Sequence, residues 1–169
     1  MSDVIEQAAT PTRAGPRLAA WALRVLTAAG LAVDAWVHGD LASRYDANVG
    51  SGPLSQGDLF RIEAVVSGLV AIALLISGRF VVWVVAWLVA ASAVGAILAF
   101  RYHDPGPLGP LPDMYEPFWF REKTVAAVAE GVALVTATLG LLEQWWHSRR
   151  CGVRTLRLTP WSTPGSTPP

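Results

Sequence analysis

The feature that most constrains this chain is an apolar segment without a single charged side chain, Phe80–Phe100. Its 21 residues, at about 1.5 Å per residue in an α-helix, reach roughly 30 Å, the thickness of a bilayer's hydrocarbon core. A helix buried in a small soluble domain keeps a polar stripe, and this segment has none. The sequence therefore predicts a membrane-spanning helix here.

Three other long apolar segments accompany it, and the charge content is low. Charged residues make up 15% of the chain, against about 25% in a typical soluble domain. We therefore predict an all-α fold, a four-helix transmembrane bundle formed by residues 17–147. The tail 1–16 is expected to be flexible, and the tail 148–169 to be basic and then disordered. The predicted spans cover about 18–38, 60–77, 80–100 and 123–146.

The connections between the spans predict an orientation. Two loops are long, 39–59 and 101–122, whereas Gly78-Arg79 is a tight turn. If both termini are inside, the inner side has eight basic residues and the outer side five, as the positive-inside rule requires. We therefore expect a multi-pass protein of the bacterial plasma membrane, N-in and C-in, whose two long loops pack together as an extracytoplasmic cap.

The two long loops share short sequences at a constant offset. Arg44-Tyr45 recurs as Arg101-Tyr102, and Gly52-Pro53-Leu54 recurs as Gly109-Pro110-Leu111. The pattern is that of an internal repeat of helix–loop–helix hairpins, an arrangement known from transport proteins. Chance matching of short Gly-Pro segments explains it equally well, and the sequence does not separate the two.

Ionisable residues inside the spans gather near the predicted outer ends of the helices. Asp34 and His38 are four residues apart and share a helix face. Ionisable groups in hydrocarbon are costly and face the bundle interior, where they pair. We therefore expect one polar cluster, with arginines just above it as counter-ions. Its predicted members are Asp34, His38, Glu63, Glu130, Arg61 and Arg101.

Four interpretations of this cluster are open. Its side chains form a structural network of ion pairs, bind a metal ion, form a proton or quinone site, or belong to a transporter of small substrates. A metal site would use nitrogen and oxygen donors suited to Zn, Mn or Fe, and the candidate ligands are Asp34, His38, Glu63 and Glu130. A structural network predicts paired side chains and no cavity, whereas a redox or metal-binding role predicts an outward pocket.

Two stretches resemble small four-span membrane proteins of actinobacteria, a group without an assigned activity. These are Val33–His38 with Gly57–Ala64, and Gly109–Pro117 followed by Glu122-Lys123. More distantly, the layout is similar to the DoxX type, four-helix proteins linked to quinone and thiol oxidation. The shared features are Arg24, Glu63 and the Gly78-Arg79 turn. This resemblance implies a quinone or redox association.

Several function classes are disfavoured by the sequence. The formal net charge is zero, which gives no electrostatic basis for nucleic-acid binding. A single cysteine, Cys151, excludes an internal disulfide, and no dinucleotide or P-loop signature is present. We predict a non-enzymatic accessory or binding protein; the alternative is a DoxX-like redox or metal-binding protein. The expected partners are the lipid bilayer and, through small residues such as Gly95, a second copy or a membrane complex, and no cofactor is identified.

Overall fold

The computed structural model describes the backbone of residues 14–155 and the side chains of residues 17–149. The predicted tails fall largely outside this range. Of the two tails only 14–16 and 148–155 are described, and both stretches continue neighbouring helices. The predicted disorder of the last residues lies outside the described part.

The predicted all-α fold is confirmed. Within residues 14–155 there are four α-helices, α1 to α4, and a short 3₁₀ helix, and β structure is limited to one isolated bridge between Val49 and Ser55. All four α-helices are long and apolar enough to cross a membrane. The helices are α1 Ala14–Leu41, α2 Gln56–Ile76, α3 Phe80–Tyr102 and α4 Arg121–Thr155, and the 3₁₀ helix is Ala42–Tyr45.

The start of α2 is fixed by a capping box. The Ser55 hydroxyl accepts a hydrogen bond from the backbone N–H of Asp58 at 3.0 Å, and the Asp58 carboxylate accepts one from the backbone N–H of Ser55 at 3.1 Å. Two backbone donors that the helix itself leaves free are thereby satisfied. The connection 103–120, which contains five prolines, forms no helix, as expected because proline lacks the backbone N–H that a helix uses.

The end of α2 is capped from another helix. The Arg24 guanidinium on α1 donates hydrogen bonds to the carbonyl oxygens of Leu74 and, at 2.8 Å, of Leu75. Gln144 on α4 similarly donates to the carbonyl of Gly78 at 2.9 Å. Arg24 therefore joins two helices at the end of the bundle that holds the Gly78-Arg79 turn.

The helices pack in a ring in which sequence neighbours are antiparallel. Helix α1 packs on α2 and α4, and α3 packs mainly on α4. Small side chains at the contacts allow the helix backbones to approach closely. A Cβ at Gly30 would lie 2.6 Å from the Ala129 carbonyl oxygen, so the α1–α4 contact requires glycine there. The larger buried apolar cluster consists of Ala28, Leu31, Ala71, Leu74, Trp83, Ala86, Ala90, Ala133 and Ala137.

The two long loops pack on each other across one end of the bundle, which confirms the predicted cap. The backbone N–H of Gly52 donates to the Pro110 carbonyl at 3.1 Å, and the Ser51 hydroxyl donates to the Gly109 carbonyl at 3.2 Å. Asn48 donates to the carbonyl of Asp113 at 2.7 Å. A side chain at position 52 would lie 2.5 Å from the Pro110 oxygen. Glycine is therefore required where the loops touch.

The outer surface of the four helices is apolar. Large side chains such as Leu69, Ile76 and Val81 are mostly exposed, and similar residues follow one another along every helix. Contiguous apolar surface of this extent is not compatible with water, but it suits the hydrocarbon of a bilayer. The architecture is that of a multi-pass membrane protein.

Candidate functional site

A polar layer separates two apolar clusters inside the bundle. On α1, Asp34 lies between Leu31 of the larger cluster and Val37 of a smaller one nearer the cap. On α4, Glu130 occupies the corresponding position, and both acidic residues have no exposed surface. Two buried carboxylates thus lie in a layer between two apolar clusters.

Asp34 and His38 form the contact that their spacing on α1 predicted. The Asp34 Oδ1 atom lies 2.8 Å from the His38 Nδ1 atom, and the same nitrogen lies 3.1 Å from the Asp34 carbonyl oxygen. The His38 ring packs edge-on against the Phe60 ring, with 5.1 Å between the ring centroids. His38 is therefore held on one side by a carboxylate and on the other by an aromatic ring of α2.

Helix α2 contributes a serine and a second carboxylate. The buried Ser67 hydroxyl lies 2.7 Å from Asp34 Oδ2 and 3.2 Å from Glu63 Oε1. A hydroxyl group has one proton to donate, so it can serve only one of these carboxylates at a time. Ser67 consequently connects the two acidic residues through a single polar atom. The cluster had been predicted without Ser67, although its position four residues after Glu63 places both on one helix face.

Glu130 approaches from α4 and completes the group. One ligand atom each from Asp34, His38 and Glu130 can be chosen so that all three atoms lie within 4.8 Å of one another. Among the described residues, neither oxygen of the Glu130 carboxylate has a hydrogen-bond partner. Buried polar atoms are normally hydrogen-bonded, so this carboxylate is the least satisfied group in the described part of the bundle.

The two predicted counter-ions do not join the cluster. Arg61 is about half exposed and contacts Asp46 Oδ1 at 2.7 Å and Asp58 Oδ1 at 3.2 Å. Its hydrogen bonds hold the pKa of Asp46 below the ordinary value, because they favour the ionised carboxylate. The prediction that Arg61 neutralises the buried acids is therefore wrong. The arginine is drawn to exposed aspartates, where its charge stays hydrated.

Arg101 lies among aromatic rings instead. Its guanidinium carbon is 4.9 Å from the centre of the Tyr102 ring and 5.8 Å from that of Trp119. Both distances are in the range of cation–π interactions. Arg101 therefore belongs to the junction between α3 and the second long loop. None of the ion pairs formed by the described residues joins Arg101 to an acidic member of the cluster.

A cavity of about 280 Å³ lies beside the cluster, and all four helices and the second long loop contribute to its lining. His38 and Glu63 lie on its wall, but Asp34 and Glu130 do not. Three phenylalanines and several aliphatic side chains form most of the surface. The lining includes Phe60, Phe100, Phe120, Ala96, Tyr45, Glu116 and Lys123.

The cap side of this cavity is polar. The Tyr45 hydroxyl donates to the Glu116 carboxylate at 3.1 Å. The Lys123 ammonium, which is largely buried, donates to the Glu116 carbonyl at 2.6 Å and lies 3.9 Å from Glu116 Oε2. Glu116 comes from the second long loop, whereas Tyr45 follows α1. No local pattern predicts this group, since Tyr45 is 71 residues from Glu116 along the chain.

A second polar contact lies deeper in the bundle. The buried hydroxyl oxygens of Thr27 on α1 and Thr136 on α4 are 2.8 Å apart. Each is also within hydrogen-bond distance of a carbonyl one turn earlier in its own helix, at 2.9 and 2.7 Å. The α1–α4 contact is therefore polar at two depths, at the carboxylates and at the threonines.

No protein-family model, curated protein or solved structure shows significant similarity to this chain. The resemblance to actinobacterial four-span proteins and to the DoxX type therefore remains a prediction from the sequence. What the chain does must be argued from the cluster and the cavity.

Proposed function

We propose that this chain is a non-enzymatic accessory protein of the bacterial plasma membrane that binds a small amphipathic ring compound, of the quinone class, in the cavity beside the cluster. The observation that supports this function is the cavity itself, with aromatic walls and ionisable side chains that include His38, Glu63 and Lys123. A purely structural cluster would leave no such space. Small-molecule sites are typically apolar concavities with a few converging polar groups.

The chemistry of the cavity matches a flat ring with carbonyl groups. Phe60, Phe100 and Phe120 supply surfaces against which an aromatic ring packs. A quinone oxygen needs hydrogen-bond donors, and both the His38 ring and the Lys123 ammonium can donate. At about 280 Å³ the space is just below the lower end of the range for drug-sized ligands, about 300–1,000 Å³. A head group of one or two rings is therefore a better fit than a large cofactor.

The distribution of basic residues supports an orientation in which the capped end faces outward. In that orientation the cavity lies in the outer half of the membrane, where an amphipathic ligand can arrive from the lipid. The DoxX-like features Arg24, Glu63 and Gly78-Arg79 agree with a quinone association. The repeated loop sequences are consistent with an origin of the bundle by duplication.

The ligand proposal is tested by filling the cavity. Ala96 on α3 lies on the cavity wall, so Ala96→Phe puts a ring where the ligand's ring would lie. The full chain is purified in detergent and titrated with a short-chain naphthoquinone, and tryptophan fluorescence is followed. We expect Ala96→Phe to weaken binding by about tenfold or more, which corresponds to about 1.4 kcal/mol.

Ala99→Phe is the matched control, since Ala99 is on the same helix and exposed but does not line the cavity. It should bind the naphthoquinone like the original protein. Equal affinity in all three proteins, or no saturable binding by the original protein, would disprove the proposed ligand and leave the structural interpretation of the cluster.

Orientation is tested separately in intact cells. In a Cys151→Ser background, single cysteines are placed in the two long loops at the exposed positions Ser51 and Asp104. A membrane-impermeant thiol reagent should label both without lysis. Labelling that appears only after lysis would reverse the orientation.

A further inference from the structure

We propose that Asp34, His38 and Glu130 bind a divalent first-row transition metal, with zinc as the reference ion. One donor atom from each residue can be chosen so that the three lie within 4.8 Å of one another. Two helices supply them, Asp34 and His38 from α1 and Glu130 from α4. This metal site does not depend on the proposed cavity ligand.

The state of the Glu130 side chain is the independent observation that indicates a ligand. Glu130 has no exposed surface, and within the described part of the chain both of its carboxylate oxygens are without a hydrogen-bond partner. The Asp34 Oδ1 atom is also buried without a well-directed hydrogen bond, although His38 Nδ1 lies 2.8 Å away. A metal ion would bind these oxygens. Among the described side chains, Asp34 can hydrogen-bond to Glu130 only when one of the two acids is protonated.

The surrounding charges leave room for a cation. The cluster contains three carboxylates, and neither arginine expected to neutralise them does so. Arg61 contacts Asp46 and Asp58, and Arg101 lies against the rings of Tyr102 and Trp119. The Lys123 ammonium is directed to Glu116. Carboxylates buried in an apolar interior are retained when they are paired or coordinate metals. The competing explanation is that one of the three acids is protonated and needs no counter-ion. A cluster of that kind would bind no zinc.

The donor set selects the class of metal. One imidazole nitrogen with two carboxylate oxygens suits Zn, Mn or Fe. Mg²⁺ prefers oxygen ligands and retains several waters, so a histidine in a compact buried site disfavours it. Three protein ligands leave a coordination position free, as at zinc sites that bind an exchangeable ligand.

The neighbouring residues have the arrangement expected around a metal site. The Ser67 hydroxyl, 2.7 Å from Asp34 Oδ2, can orient that carboxylate, and such outer contacts commonly tune metal affinity. His38 lines the cavity, which gives an ion a route to the buried carboxylates. Ligand identity, orienting contacts and an entry path are the features by which a new metal site is assessed.

The test uses the full chain purified in detergent, stripped with a chelator and dialysed against Zn²⁺. Bound zinc is measured per chain, and Co²⁺ substitution is followed by its visible absorption, which reports the ligand environment. We expect about one zinc per chain. Glu130→Gln and Asp34→Asn should each weaken binding by about tenfold or more, as even changes outside the ligand set weaken metal affinity by about 10–100-fold.

Glu122→Gln is the matched control, because Glu122 is on the same helix but is exposed and faces Arg44 at 3.4 Å. It should retain the bound zinc. Thermal unfolding checks the fold of each variant: zinc should raise the midpoint of the original protein but not that of Glu130→Gln. In the absence of metal, Glu130→Gln should unfold at a temperature no lower than that of the original protein, since the substitution removes a buried charge.

Three results would overturn the metal site. The first is a zinc content of the original protein below about a tenth of an ion per chain. That result would favour protonation of one acid. The second is Glu130→Gln that binds zinc as tightly as the original protein. The third is Mg²⁺ binding with equal affinity, since that would contradict the choice of a transition metal.

Discussion

Asp34 on α1 and Glu130 on α4 place two fully buried carboxylates within 4.8 Å of each other across the contact between their helices. Asp34 has a histidine and a serine beside it, whereas both oxygens of Glu130 are without a described partner. Side chains of α1 and α2 therefore stabilise the Asp34 carboxylate, whereas no described side chain of α4 stabilises that of Glu130. The stability of the bundle should therefore depend on what satisfies these acids.

Ser67→Ala is expected to destabilise the bundle, because it leaves Asp34 Oδ2 buried without its 2.7 Å hydrogen bond. Leaving a buried acceptor unsatisfied costs about 1–3 kcal/mol. The free energy of unfolding is measured by titrating detergent-solubilised protein with a denaturing detergent. Ser92→Ala is the control, since the exposed Ser92 hydroxyl bonds only to Val89 of its own helix. Equal stability of the two variants would show that Ser67 does not support the acid.

The hydrogen bond between Thr27 and Thr136, 2.8 Å long, is tested by a double-mutant cycle. Thr27→Val and Thr136→Val remove one hydroxyl each, and the double variant removes both. Interhelical hydrogen bonds in membranes contribute about 0.6 kcal/mol on average and at most about 1.7 kcal/mol. We expect a coupling energy in that range from the same detergent titration. Strictly additive effects would mean that each hydroxyl is satisfied by its own helix.

Gly30→Ala is expected to separate α1 from α4. The new Cβ would lie 2.6 Å from the Ala129 carbonyl oxygen and 2.9 Å from the Ala133 Cβ, and a helix backbone cannot yield locally. Overpacking of this kind costs about 1–3 kcal/mol, measured as a lower free energy of unfolding. A Cβ added at Gly95 on α3 would meet no described atom outside its own helix backbone within 4 Å. Gly95→Ala should therefore leave the free energy of unfolding unchanged or raise it by up to about 1 kcal/mol. An unaffected Gly30→Ala would contradict the tight contact.

The Asp46–Arg61 pair gives a prediction for pH. Hydrogen bonds from Arg61 hold the pKa of Asp46 below its ordinary value. A carboxyl whose pKa is lower in the folded state stabilises the fold above its unfolded pKa of about 3.9. It loses that contribution as the pH falls through the folded pKa.

The original protein should therefore exceed Asp46→Asn in stability at neutral pH, and the difference should vanish in acid. Both residues are about half exposed, so the difference should also shrink at high salt. Thermal unfolding from pH 7 to pH 3 measures it. If the stability difference between the original protein and Asp46→Asn grows as the pH falls, the ionised Asp46 does not stabilise the fold.

The convergence of Asp34, Glu63 and Glu130 from three helices was predictable, because ionisable groups in hydrocarbon face the bundle interior. The partners of the two arginines and the contacts around the cavity were not. Asp34 and His38 are one helical turn apart, so their contact follows from the helix alone. The destination of Arg61 depended on where the first long loop places Asp46, which no local pattern encodes. The cavity likewise depends on α3 packing mainly on α4, and on the loop that brings Glu116 to Tyr45 and Lys123.

The sequence by itself determined that four helices form and that lipid is their solvent, because apolar length and the lack of charge act locally along each segment. The start of α2 at Gln56 is encoded locally by the capping box of Ser55 and Asp58, whereas the apolar pattern alone placed the start of the span at about residue 60. Only the tertiary structure decided that the Glu130 oxygens have no hydrogen-bond partner among the described residues and that a cavity adjoins the cluster. These features depend on side-chain packing between helices that are distant along the chain, where a shift of one residue would change every neighbour.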